Sequence, residues 1–232
     1  MGTRRSSTIA SGLTSPGTSR NPPTGARPEG RSARKRRAIL AAGTTLFLRN
    51  GYSGTSMDEI AALAGVSKQT VYKHFADKER LFSEIVTSTV DEVAGPVHDE
   101  VLELQDSGDL EADLRGLARR LLARVMQPRI LQLRRLVIGE AGRFPELGRA
   151  FYEQGPGRTI AALATAFERL ADRGVLQPDD PLLAAAHFNW LVMSIPLNRA
   201  MLLGEDEPSA SAELNRYADA GVRAFLAAYA RR

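Results

Sequence analysis

Residues 57–82 read MDEIAALAGVSKQTVYKHFADKERLF, and the fold follows from this stretch. Two short helical patterns meet at Ala64-Gly65-Val66, and the second is brief, polar and opened by Ser67. Ser56 is placed to cap the first helix, with Glu59 three residues on to close a capping box. Ile60, Leu63 and Ala64 recur at helical spacing and make one apolar face. Gly65 follows, where a helix end takes a left-handed residue. Ser67 caps the next helix through the N–H of Gln69 or Thr70. Only Val71 and Phe75 of that helix point to a core; Lys68, Gln69, Thr70, Tyr72, Lys73 and His74 form its other side. A helix this short does not persist alone in water, so its neighbours must hold it. Asp77 caps a further helix carrying Leu81, Phe82, Ile85 and Val86 on one side. Such a pair of helices around a tight turn presents its second member to the major groove of DNA.

The wider run GYSGTSMDEIAALAGVSKQTVYKHFADKERLF, at 51–82, resembles the N-terminal signature of TetR-family transcriptional regulators. Gly51-Tyr52, Thr55-Ser56-Met57, Ile60-Ala61, Ala64-Gly65-Val66-Ser67, Tyr72-Lys73-His74-Phe75 and Lys78-Glu79 carry the likeness, within roughly residues 33–82. Further on, RLVIGEAGRFPELGRAF at 135–151 is similar to the AefR-like subgroup of that family. The resemblance implies an all-α protein. A three-helix DNA-binding domain with a helix-turn-helix comes first, and a larger helical ligand-binding and dimerisation domain follows.

Working outward, the chain divides into a basic tail (1–30), the helix-turn-helix domain (31–76) and the helical domain (77–232). Residues 1–37 hold nine Lys/Arg and a single acid, although the whole chain is only +4. The positive charge therefore lies beside the DNA reader, where it adds salt-sensitive attraction to phosphates. The first thirty residues are rich in Ser, Thr, Gly, Pro and Arg and are expected to be disordered. They are either a floppy tail or a basic arm that grips DNA.

The first helix is expected at 31–50, with Ile39, Gly43, Leu46 and Phe47 on one face. The helix from Asp77 is expected to break at Gly95-Pro96, with a separate short helix at 97–105. Further helices are read at 110–127 and from Pro128 to about 144. Gly155-Pro156-Gly157 reads as a break, and it lacks the strand and the Gly-Lys-Ser/Thr ending of a phosphate loop. Helices follow at 158–173, at 182–203 with Asp180 as cap and Pro181 as first residue, and at 212–230. An acidic loop separates the last two, at 204–209. The helix at 182–203 is apolar nearly all round, so it needs cover on more than one side. By resemblance, the helices opening at Arg158 and Pro181 pair with those of a second copy in a homodimer.

Candidate DNA contacts are Arg36, Thr55, Ser56, Ser67, Lys68, Gln69, Thr70, Tyr72, Lys73, His74 and Lys78. By resemblance, Thr70, Tyr72, Lys73 and Lys78 hold phosphates, and Thr55 and Ser56 touch the backbone. Lys68 and Gln69 sit where base edges lie; Gln pairs with adenine and Lys reaches guanine. His74 reads equally as a packing residue or a phosphate contact. A ligand pocket in the carboxy-terminal helices is expected to be apolar with few polar groups. Met126, Phe144, Phe151, Tyr152, Phe188, Trp190 and Met193 are its apolar candidates, with His98, Glu140, Arg143 and Asn189 as polar ones. For each aromatic or Met, ordinary core packing is the competing reading.

Composition narrows the alternatives. The chain has no cysteine, so it has no disulfide, thiolate metal site or cysteine nucleophile. That usage fits a reducing cytoplasm. No apolar run is long enough to span a bilayer, and the first residues do not read as a secretory signal. The three histidines, His74, His98 and His187, have no metal-ligand spacing, and no nucleophile motif is present. The sequence thus predicts a regulator rather than an enzyme, without cofactor or metal. Its partners are a near-palindromic duplex and an unknown small-molecule effector. The competing readings are an architectural DNA binder without an inducer and a helical enzyme carrying a DNA-reading module.

Overall fold

The computed structural model describes residues 30–203 and 210–231. The predicted tail and the acidic loop at 204–209 lie outside the described residues. Among the described residues there are ten α-helices: α1 (Arg31–Asn50), α2 (Met57–Ala64), α3 (Lys68–His74), α4 (Lys78–Glu103), α5 (Leu110–Val125), α6 (Pro128–Glu140), α7 (Pro145–Tyr152), α8 (Arg158–Asp172), α9 (Pro181–Leu203) and α10 (Ser211–Tyr229). No strand occurs among the described residues; one isolated bridge joins Leu176 to Ala230.

The caps behave as their chemistry requires. Ser56 Oγ accepts from Glu59 N at 3.2 Å, and Glu59 Oε2 accepts from Ser56 N at 2.8 Å. Gly65 ends α2 at φ 64°, a conformation that costs a side-chain-bearing residue about 1 kcal/mol or more. Ser67 takes the Thr70 N–H at 3.2 Å and Asp77 takes the Arg80 N–H at 2.7 Å. Asp180 accepts from both Leu182 N and Leu183 N.

Among the described residues, two apolar clusters form the core. The first gathers Ile39, Phe47, Ile60, Val71, Phe75, Leu81, Phe82 and Ile85 with Leu133, Val137, Phe144 and Leu147. It takes residues from both sides of residue 76, because α6 packs against α1 and both α6 and α7 pack against α4. Gly43 admits α4 here: a Cβ would stand 2.8 Å from Ile85 Cδ1. The second cluster centres on Phe167, Phe188 and Phe225, whose ring centroids lie 4.9–5.9 Å apart.

The structure corrects the sequence reading in three places. Helix α4 does not stop at Gly95-Pro96. Proline removes one N–H bond and strains the turn before it, but Ala94, Val97 and Val101 on the same helix are buried and carry it through. The region before Gly155 contains a separate helix, α7, opened by Pro145. Finally, Gly155-Pro156-Gly157 is not a break. A single wide turn at Glu153–Gly157 leads from α7 into α8, a geometry that tolerates the missing proline donor. A Cβ on Gly155 would meet Val90 Cγ1 at 3.3 Å, so glycine lets this turn lie close on α4.

Candidate nucleic-acid interface and interior cavity

Helix α3 is held by Val71, fully buried, and by Phe75 just after its end. With those two inside, Ser67, Lys68, Gln69, Tyr72 and Lys73 are exposed, and Thr70 and His74 are half-buried. Seven residues thus form a polar ridge on an apolar footing. The Ser67 and Thr70 hydroxyls lie 2.8 Å apart. The His74 ring leans on Phe75, at 6.4 Å between centroids.

Five of the expected DNA contacts are engaged within the protein. Thr55 is buried and donates its hydroxyl to Gly51 O at 2.8 Å, so it shapes the turn before α2 and is not free to touch a phosphate. The Lys78 ammonium donates to Tyr52 O at 3.0 Å and Thr55 O at 2.9 Å and sits over the Tyr52 ring, which makes it a strut under that turn. Arg36 pairs with Glu84 and lies over the Phe75 ring at 5.4 Å. Lys68 remains exposed but pairs with Asp58 at 2.8 Å, and the hydrogen bond to Asp58 raises its pKa. Ser56 is exposed, with its hydroxyl committed to Glu59. Gln69, Tyr72 and Lys73 make no such commitments, so they are the side chains of α3 left to a partner.

A cavity lies in the carboxy-terminal helices, with an empty volume of about 650 Å³ that includes its open mouth. Its walls are mostly apolar: Val90, Val93, Ala94, Leu121, Val125, Ile130, Leu133 and Leu197. Of the pocket candidates, Phe151, Asn189, Trp190 and Met193 stand on it.

The other candidates do not reach the cavity. Met126 and Phe188 are buried in the carboxy-terminal cluster, where apolar periodicity and packing demand placed them. Phe144 lies edge-on against Tyr52 at 4.9 Å, in the amino-terminal cluster. Arg143 covers the rings of Tyr52 and Phe144. Tyr152 is exposed, since α7 turns its neighbour Phe151 inward instead. Glu140 ends α6 away from the cavity walls, and His98 lies past Pro96, beyond the stretch of α4 that lines them. Sequence reasoning missed Arg134, Thr89 and Thr159, all of which line the space. One arginine among three on α6, and two threonines, carry no spacing signal that marks them.

Residues 112–231 match the C-terminal domain of AefR-like transcriptional repressors, over half of the chain, and residues 39–85 match the bacterial regulatory proteins of the tetR family. The chain belongs to the TetR family. A solved TetR-family transcriptional regulator from Mesorhizobium loti superposes with a TM-score of 0.81 at 49% identity, covering 88% of this chain and 100% of that one. The solved flavonoid-responsive regulator FrrA gives 0.66 at 36% identity, over 86% and 98%. The DNA-binding transcriptional repressor TetR of Mycobacteroides abscessus is 33% identical over 161 residues, 68% of each chain. Against several other curated relatives this TetR-family chain spans about a third to a half of their length. No helix among the described residues is long and apolar enough to cross a membrane.

Proposed function

We propose that this TetR-family protein is a repressor that binds a near-palindromic duplex as a homodimer and releases it when a small molecule enters the cavity. The observation that carries the reading is the path of α4. Its first turns support the helix-turn-helix through Lys78, Leu81 and Phe82, and its middle lines the cavity with Thr89, Val90, Val93 and Ala94. Leu133 of α6 likewise belongs to both the amino-terminal cluster and the cavity wall. A molecule seated there bears directly on the elements that set the angle of α3. It releases DNA only if it favours one spacing of the two α3 helices over the other. The flavonoid response named for FrrA and the repressor role named for the M. abscessus protein agree with this.

Gln69 then reads a base edge from the amino end of α3, while Tyr72 and Lys73 hold phosphates. The dimer face is the apolar stripe of α9: Leu183, Leu191, Ile195 and Leu202 are all exposed in the single chain. Its flank is α10, which His187 and Arg199 reach through Tyr229 and Glu213. Helix α8, expected as its companion, turns Ala161, Thr165, Glu168 and Arg169 outward, a surface with less apolar area to bury. Footprinting on the DNA flanking its own gene tests the function. Protection of a short near-palindrome, with half-sites about 34–36 Å apart, is the expected result. Diffuse, salt-labile coating of any duplex would instead support the architectural reading.

A further inference from the structure

The cavity contains one charge. Arg134 projects from α6 into walls that are otherwise apolar, and its guanidinium carbon lies 5.6 Å from the Phe151 ring centroid. That ring is its contact; no carboxylate among the described residues pairs with it. Its neighbour Arg135, in contrast, donates to Ala200 O at 2.7 Å. Burial lowers the Arg134 pKa, so the charged form is held at a cost there. Arginine nonetheless stays protonated in proteins. A half-buried cation facing a ring rather than an acid lacks the partner that such charges otherwise have.

Two other polar groups of the cavity are in the same position. Asn189 and Thr89, 3% and 2% exposed, line the space and make no side-chain hydrogen bond with another described residue. Their donors and acceptors are therefore available to whatever fills it.

We propose that the cavity selects a flat apolar organic anion, whose negative oxygen meets the Arg134 guanidinium while its body lies between Val90, Leu133 and Trp190. The planar fork of arginine matches a carboxylate through two parallel bonds, and Phe151 lies beneath the fork on one side. This rests on the reading of the cavity as the effector site, and deepens it by naming the ligand class.

The test uses the full chain and a matched pair of probes, 4-butylbenzoate and its uncharged analogue 4-butylbenzamide. Binding is read by calorimetry and by the emission of Trp190, the single tryptophan, which stands on the cavity. The benzoate is expected to bind at least roughly tenfold more tightly than the amide. Arg134→Gln abolishes that preference by weakening the acid alone, and Arg134→Lys restores part of it. Val90→Trp, which fills the space, blocks both probes. Equal affinity for the two probes in the native protein, or equal loss of both in Arg134→Gln, overturns the anion selectivity and leaves the effector cavity standing. No binding of either probe at millimolar concentration, or binding that survives Val90→Trp, overturns both readings.

Discussion

Lys78 donates to the Tyr52 carbonyl at 3.0 Å while its ammonium stands 4.4 Å above the Tyr52 ring. One side chain at the start of α4 thus ties down both the backbone and the ring of the turn that feeds α2. Tyr52 in turn packs against Phe47, Phe82 and Phe144, so the strut joins α1, α4 and the segment before α7.

Replacing Lys78 with Met therefore destabilises the amino-terminal cluster by about 1.5–3 kcal/mol, the range for hydrogen bonds to a charged group. DNA binding falls on every sequence alike, because α3 loses its footing and not a contact. Thermal unfolding and duplex titration of the same variant check this. Weakened DNA binding with unchanged unfolding would mean that Lys78 acts on phosphate instead.

Gln69 and Lys73 separate recognition from attraction. Gln69→Ala is expected to relax discrimination at one base pair by roughly 1–3 kcal/mol. Lys73→Ala weakens operator and scrambled duplex equally and lowers the salt slope by about one. Titrating both variants on both duplexes reads the two effects; equal losses for Gln69→Ala contradict its role.

Asp58 faces Lys68 across the motif and occupies it. Asp58→Asn removes an acid from the surface that meets DNA and frees Lys68. Binding to any duplex is expected to tighten at low salt and to become more salt-dependent. Affinity measured across a salt series tests it, and an unchanged slope counts against Lys68 reaching DNA.

Glu100 on α4 accepts from Arg120 at 2.8 Å and Arg124 at 2.5 Å on α5. Burial alone would raise its pKa, but the bonds from Arg124 and Arg120 outweigh it and the net shift is downward. A carboxylate whose folded pKa lies below its unfolded value adds stability above the unfolded pKa, and that stability fades as pH falls through the folded one. Glu100→Gln should cost about 1–2 kcal/mol near neutral pH. The gap to the native protein should close below the ordinary carboxylate range. Melting both proteins across a pH series measures this; a pH-independent gap would point to packing.

Charges placed on the α9 stripe test the dimer. Leu191→Glu with Ile195→Glu buries two unpaired carboxylates in the proposed interface. The dissociation constant should rise about a hundredfold or more. Sedimentation resolves it. A dimer that persists, paired with a monomer from Ala161→Glu, would return the interface to α8.

Local chemistry made the helix-turn-helix legible in the sequence. Ser56, Glu59, Gly65, Ser67 and Asp77 act within a few residues of themselves, through caps and a left-handed turn. Short-range geometry therefore settles their roles as caps and as a turn. What lay beyond sequence reasoning depends on distant segments. Pro96 stays inside a helix because buried neighbours on either side of it outweigh one lost hydrogen bond. Lys78 becomes a strut because Tyr52, 26 positions earlier, is folded against it. Arg134 differs from Arg129 and Arg135 only in what surrounds it: an open apolar space and the ring of Phe151. Desolvation and partner choice are properties of packing, so only the tertiary structure decides which arginine faces a ligand.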